Sequence, residues 1–393
     1  MTRSIRPLVS LTIVFCLLSL SMDAQPDKFG RFKDTFVREL SEAGIVGGSF
    51  VFVRDGKIVA EAHHGSANLD KKQAVDTETI YHWASNTKPL TGIAIMQLRD
   101  RGSLKLEDPV TKYLPELRRI HNSHGSMDEV TIRHLLTHSG GFRGGTWPWR
   151  QGKDWEPFEP TEWSQLVAMF PFTEVLFKPG SKSSYSNPGI VYLGRTIEVI
   201  TGESYESYIE KNIFRPLGMT RSYFDTTPPH LLKHRSHSYY VRDGKRTEGR
   251  FDADTGITVS NSGLNAPVTD MVKYLNFLVG TGSESDRGVY DTVLKRPSLE
   301  EMFRPQLPAG TDANGNAGFT TDIGLIYFLN RQDGRTFIGH GGDQNGFVSY
   351  IDFEPATRQA SIIVFNTNVN YPDGTPAEKN AVVRLRRAVQ ELY

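Results

Sequence analysis

Phe29, Phe32, Phe36, Val37 and Leu40 recur at the three- and four-residue intervals of an amphipathic helix, which predicts a helix from Lys28 to Ala43, ended by Gly47 and Gly48. The stretch SFVFVRDGKIVAEAHHG then changes period. Two β-rich runs meet at Asp55-Gly56, a dipeptide suited to a two-residue hairpin turn. The far end of the chain repeats the design: IGLIYFLN and RTFIGHGG are linked through Asp333-Gly334, and FVSYIDFEP and ASIIVFN meet across Pro355 to Arg358. A last helix is expected from about Pro376 to Leu392. Between the two ends, helical spacing appears at Leu90–Arg101, Val130–Thr137, Pro188–Thr201, Tyr205–Phe214 and Thr269–Leu278.

Strands at both ends and helices between them predict an α/β (α+β) fold. Its antiparallel β-sheet is built from both chain ends, flanked by helices, and interrupted by a large, mostly helical insertion. The sheet region is expected at about 25–84 and 320–393 and the helical region at about 85–319, within one domain spanning 25–393. The loop GGTWPWRQGKDWEPFEPTEW is rich in Trp, Pro and Gly. Such a loop either walls a binding site or is a surface loop pinned by its own tryptophans.

Charge narrows the function classes. Among 393 residues, Lys plus Arg and Asp plus Glu number 45 each, with no basic block, so nothing electrostatic calls for nucleic acid. The leading residues differ from the rest: Arg3 and Arg6 precede the uncharged run PLVSLTIVFCLLSL. That run falls short of the roughly 20 residues of a membrane span. It has the build of a signal peptide over residues 1–24, with Ala24 before the cut; an uncleaved N-terminal anchor is the alternative. Cys16, the only cysteine, lies in this run behind Phe15, where a lipoprotein signal would need a small residue. Cleavage would leave a chain with no stable membrane span and no thiol, suited to a periplasmic or secreted location and closed to cysteine chemistry.

Three short patterns carry candidate chemistry. In HWASNTKPLTGIAIMQL, Ser85 and Lys88 stand three residues apart where a helix begins, one turn apart on one face. The pair is either an activated nucleophile, with the amine taking the serine proton, or the solvated front of an ordinary helix. In SKSSYSNPG, Tyr185 and Asn187 sit in a loop before a helix, and a tyrosine facing Lys88 could become a phenolate base; a plain turn with one buried tyrosine is the alternative. In FIGHGGDQNGF, His340 ends a strand and is followed by Gly341, Gly342 and Asp343. A glycine-rich strand edge admits substrate close to the backbone, and the N–H groups of Asp343 and Ser85 would form an oxyanion hole. His134 and His138 have metal-ligand spacing in HLLTH, but the glutamate of a zinc-protease helix is missing and no metal is expected. His230, His234 and His237 read as a solvated loop or helix end.

The order S-x-x-K, then Y-x-N about 100 residues later, then H-x-G on a late strand resembles the serine β-lactamase and penicillin-binding-protein superfamily. The branch it is most similar to is that of class C β-lactamases, with related esterases and D-amino-acid peptidases. Connecting segments such as GSLKLEDPVTKYLPEL, VTIRHLLTHSGGF, KPGSKSSYSNPGIVYLGRTIEVITGESYESYIEKNIFRPLGMTRS and NSGLNAPVTDMVKYLNFL extend the resemblance over roughly residues 30 to 370. It implies a β-lactamase/transpeptidase-like fold and a serine hydrolase needing no cofactor. Ser85 would be the nucleophile, with Lys88 and Tyr185 in proton transfer. Asn187 would hold the acyl-side carbonyl or orient Lys88, and His340, Gly342 and Asp343 would line the site.

One departure bears on substrate. Class C β-lactamases carry a lysine at the head of the third motif; here the residue is His340, largely neutral at pH 7. Weak β-lactam turnover and a preference for other esters or amides are therefore expected, with a small-molecule or peptide substrate as partner. A DD-peptidase is the alternative within the same chemistry. A catalytically silent protein that binds cell-wall fragments is the alternative outside it.

Overall fold

The computed structural model describes residues 27–145, 160–252, 254–309, 320–332, 334–371 and 375–393. The leading apolar run, most of the tryptophan-rich loop and Asp333 lie outside them. Helix α1 (Lys28–Glu42) buries Phe32, Phe36 and Leu40 on one face and leaves Val37 on the other. The chain turns at Gly44, where φ is +69°, and not at Gly47 and Gly48, which already belong to strand β1 (Gly47–Arg54). Asp55 and Gly56 both have positive φ, as a two-residue hairpin turn of this hand requires, and lead into β2 (Lys57–Asn68).

The central helix α2 (Lys88–Asp100) is buried from Lys88 through Leu98, so it is held on every side. Helix α3 (Asn187–Thr201) starts at a Ser186 cap and ends at Gly202 in the left-handed conformation. Strands β3 (Phe328–Gln332), β4 (Arg335–Gln344), β5 (Phe347–Glu354) and β6 (Gln359–Phe365) follow, then helix α4 (Ala381–Gln390).

These strands form one nine-stranded sheet in the order Gln73–Ala74, β2, β1, β6, β5, β4, β3, Asp322–Ile323, Leu307–Pro308, every pair antiparallel. The first hairpin joins the last through β1 and β6, in register from Gly48 opposite Phe365 to Arg54 opposite Gln359. Side chains alternate across the sheet. Phe50, Phe52, Ile363 and Phe365 pack with Phe32, Phe36, Leu385 and Val389 of α1 and α4. Val51, Val53, Ile362 and Val364 face the larger core shared with α2 and α3. Both faces are covered, which is why these strands are apolar throughout; each fully buried Phe or Ile contributes about 1.5–3 kcal/mol.

The middle of the chain is less purely helical than its periodicity suggests. Ile80–His82, Leu264–Pro267 and Tyr223–Phe224 make a small sheet, and Tyr239–Arg242, Lys245–Glu248 and Thr367–Val369 make another. The helix expected at Val130–Thr137 shortens to Ile132–Leu136, and that at Tyr205–Phe214 continues beyond Ile209 as a π-turn. Among the described residues, no helix is long and apolar enough to cross a membrane.

Candidate active site

Ser85 sits on a short 3₁₀ turn, Ala84–Thr87, that leads into α2. The turn is anchored by buried Trp83, whose backbone N–H donates to the Leu264 carbonyl (2.8 Å) and whose indole donates to the Ala266 carbonyl (2.9 Å). Ala84 has φ +49°, a left-handed conformation that an alanine adopts only where its surroundings impose it. Asn86 ties the turn to the sheet by donating to Ser349 Oγ on β5 at 2.9 Å. Ser85 is thereby presented at the sheet edge, near the positive end of α2.

Lys88 is fully buried and its Nζ has two partners: Ser85 Oγ at 2.9 Å and the Asn261 carbonyl at 3.0 Å. Burial lowers its pKa well below the ordinary lysine value, which favours the neutral amine. The Nζ lies 4.9 Å from the centroid of the Tyr185 ring. Tyr185 leaves 37% of its surface exposed, but within the site burial raises its phenol pKa, and its interaction with Ser85 opposes that shift only in part. The direction of that shift runs against the phenolate that a nearby cation would favour.

Asn187 opens α3 and faces the same cleft. Its Oδ1 is buried without a hydrogen-bond partner, and the Lys88 amine is held by Ser85 and the Asn261 carbonyl instead. The orienting role considered for Asn187 is not made in this arrangement.

The third wall is β4. It pairs with β3 only from Phe328 opposite Gly339 to Gln332 opposite Arg335, so from His340 onward that edge has no strand partner among the described residues. His340 is buried; its Nδ1 lies 2.7 Å from the Gly341 carbonyl, so that nitrogen carries the proton, and Nε2 has no partner. Burial, and secondarily Lys88, pushes its pKa down to about 3. Gly342 is where the Ser85 turn meets the strand: a Cβ there would lie 2.2 Å from the Trp83 carbonyl oxygen. Asp343 accepts hydrogen bonds from Asn368 Nδ2 on both carboxylate oxygens, at 2.7 and 2.8 Å.

A cleft of about 440 Å³ joins Ser85, Tyr185, Asn187, His340, Gly342 and Asp343, with Lys88 behind Ser85. It continues round the sheet edge to Tyr350, over which the Arg386 guanidinium lies at 4.1 Å. Two neighbours were not evident from the motifs. Phe328 packs on His340 with ring centroids 5.0 Å apart, and His138 packs on Tyr185 at 4.7 Å. His134 instead accepts the Thr131 N–H at 3.3 Å in a helix cap, and no cluster of three metal-ligating side chains occurs among the described residues.

Comparison with known proteins agrees with this fold. A family model described as Beta-lactamase matches residues 32–386. Protein flp of Staphylococcus aureus (strain COL) is 26% identical over 340 residues, 86% of this chain, which spans only 63% of that relative. A penicillin-binding protein homologue from Pyrococcus abyssi is 26% identical with a TM-score of 0.74, over 92% of this chain and 77% of its own. A class C beta lactamase from Rhodobacter sphaeroides, 20% identical, shares the fold with a TM-score of 0.70, over 92% and 98% of the two chains.

Proposed function

The chain belongs to the Beta-lactamase family, and from that premise we propose that it is an exported serine hydrolase that cleaves an ester or amide through an acyl-enzyme on Ser85. The observation that carries this reading is the 2.9 Å contact between Ser85 Oγ and a buried lysine amine whose pKa is held down. Ser85 Oγ attacks the substrate carbonyl carbon while its proton passes to Lys88 Nζ. The oxyanion is received by the N–H groups of Ser85 and Asp343 on the open edge of β4. As the tetrahedral intermediate collapses, the neutral Tyr185 phenol protonates the leaving group and is reprotonated from Lys88. Water then adds to the acyl carbon, giving its proton to the same pair, and Ser85 recovers its hydrogen as the acid departs.

Substrate preference follows from charge. His340 offers no cation where a substrate carboxylate would lie, so esters and amides without that carboxylate are favoured over β-lactams. Cell-wall stem peptides are a second reading, favoured by the resemblance to a penicillin-binding protein homologue. Export rests on the arginine-then-apolar leading stretch and on the absence of cysteine after Cys16. A panel of short-chain nitrophenyl esters, D-amino-acid amides, D-Ala-D-Ala peptides and a chromogenic cephalosporin, run beside Ser85→Ala and with fluorophosphonate labelling, tests the whole reading. Turnover and labelling that vanish in Ser85→Ala are expected; labelling absent from wild type, or unchanged in the variant, would instead indicate a silent binding protein.

A further inference from the structure

Tyr185 sits on a loop in which Ser181, Lys182 and Ser184 are exposed. A side chain on such a segment needs outside support if its hydroxyl is to stay at Ser85. The bonds on either side of Tyr185 come from His138. The His138 carbonyl accepts the Ser184 N–H at 2.8 Å, and its Nδ1 accepts the Ser186 N–H at 3.2 Å, so the two bonds straddle Tyr185. Between them the imidazole packs on the Tyr185 ring, with centroids 4.7 Å apart and planes inclined at 40°. Its neighbours extend the attachment: the Thr137 carbonyl accepts from Ser183 Oγ at 3.1 Å and the Ser139 carbonyl from the Gly180 N–H at 2.9 Å.

We infer that His138 is the positioning residue of Tyr185, fixing the backbone on either side of the phenol and supporting its ring, so that proton transfer at Ser85 depends on a histidine that touches neither Ser85 nor substrate. This rests on the reading of Ser85 as nucleophile and Tyr185 as its proton-transfer partner. Two details fit the role. His138 has φ +50°, the backbone setting that lets one residue turn both its carbonyl and its ring toward the same loop. Burial lowers its pKa well below the ordinary histidine value, which keeps a lone pair on Nδ1 for the Ser186 N–H.

The test uses His138→Gly, which tolerates the positive φ but removes the ring, and His138→Asn, which also tolerates it and restores an acceptor near the Nδ1 position. On an alkyl ester, His138→Gly is expected to lower kcat by about 10- to 100-fold with little change in KM, and His138→Asn to recover most of the loss. In a Tyr185→Phe background, His138→Gly should cost less than about threefold more, because two residues acting as a unit are not additive. Should His138→Gly not fold, His138→Gln, whose amide reaches the Nε2 position and not Nδ1, serves in its place. Full additivity in the cycle, or a His138→Asn no better than His138→Gly at equal melting temperature, overturns the inference. Absence of turnover in wild type would instead overturn the enzyme reading beneath it.

Discussion

The Nζ of Lys88 stands 2.9 Å from the Oγ of Ser85, and the only cause lowering its pKa is burial. An amine in that state accepts the serine proton at a pH where a solvated lysine could not. The acylation rate should therefore rise with pH through the lowered pKa of Lys88 and level off well below pH 10.5. Lys88→Arg should lose about 10²- to 10⁴-fold, because a guanidinium stays protonated and can accept nothing. A Lys88→Arg enzyme with a near-normal pre-steady-state acylation rate would remove Lys88 from the base role.

Burial raises the pKa of Tyr185, which favours the protonated phenol. Its value as an acid depends on the leaving group. Tyr185→Phe should slow alkyl esters and amides by about 10²-fold or more, and nitrophenyl esters far less, because nitrophenolate departs without a proton. Rates along a series of leaving-group pKa values check this: wild type should give a shallow slope and the variant a steep one. Parallel slopes would mean that the phenol only shapes the cleft.

Much of this was legible locally, for physical reasons. The Asp55-Gly56 hairpin, the β-rich runs at both ends and the faces of α1 and α4 depend on neighbours in sequence. So does the spacing of Ser85 from Lys88. What was not legible depends on partners far along the chain. The Asn261 carbonyl reaches Lys88 across 173 residues, and His138 reaches Ser186 across 48. The upward shift of the Tyr185 pKa comes from desolvation, a property of packing that no spacing reveals. Strands of two to four residues, such as Ile80–His82 and Tyr223–Phe224, are too short to show a period.

Gly342, within β4, packs directly against the nucleophile turn. A Cβ there would lie 2.2 Å from the Trp83 carbonyl oxygen and 2.8 Å from Ser349 Oγ, so backbone must move. Gly342→Ala is expected to lower kcat/KM by about 10- to 100-fold, since a displacement near 1 Å at a nucleophile has that effect. The control is Gly341→Ala, whose Cβ points to the opposite face and meets the Tyr350 ring at 2.9 Å, a side chain able to shift. Its loss should be clearly smaller. Equal losses would show that the close approach to Trp83 does not set the position of Ser85.

His340 gives a pH dependence of stability with a definite sign. Its pKa falls from 6.5 in the unfolded chain to about 3 in the fold, chiefly through burial. Between those values the unfolded chain binds a proton that the folded chain refuses, so this residue's contribution is fully present above pH 6.5 and is lost as pH falls toward 3. His340→Phe, neutral at every pH, should lack that loss. The difference in melting temperature between wild type and the variant should therefore shift against wild type as pH is lowered from 7 to 4. The same neutrality sets the substrate comparison: with no charge at His340, the cephalosporin should turn over more slowly than a short-chain nitrophenyl ester. His340→Lys should narrow that gap by placing a cation where a carboxylate would lie. A melting difference independent of pH would show that folding does not lower the His340 pKa, and a cephalosporin rate already above the ester rate in wild type would overturn the substrate preference.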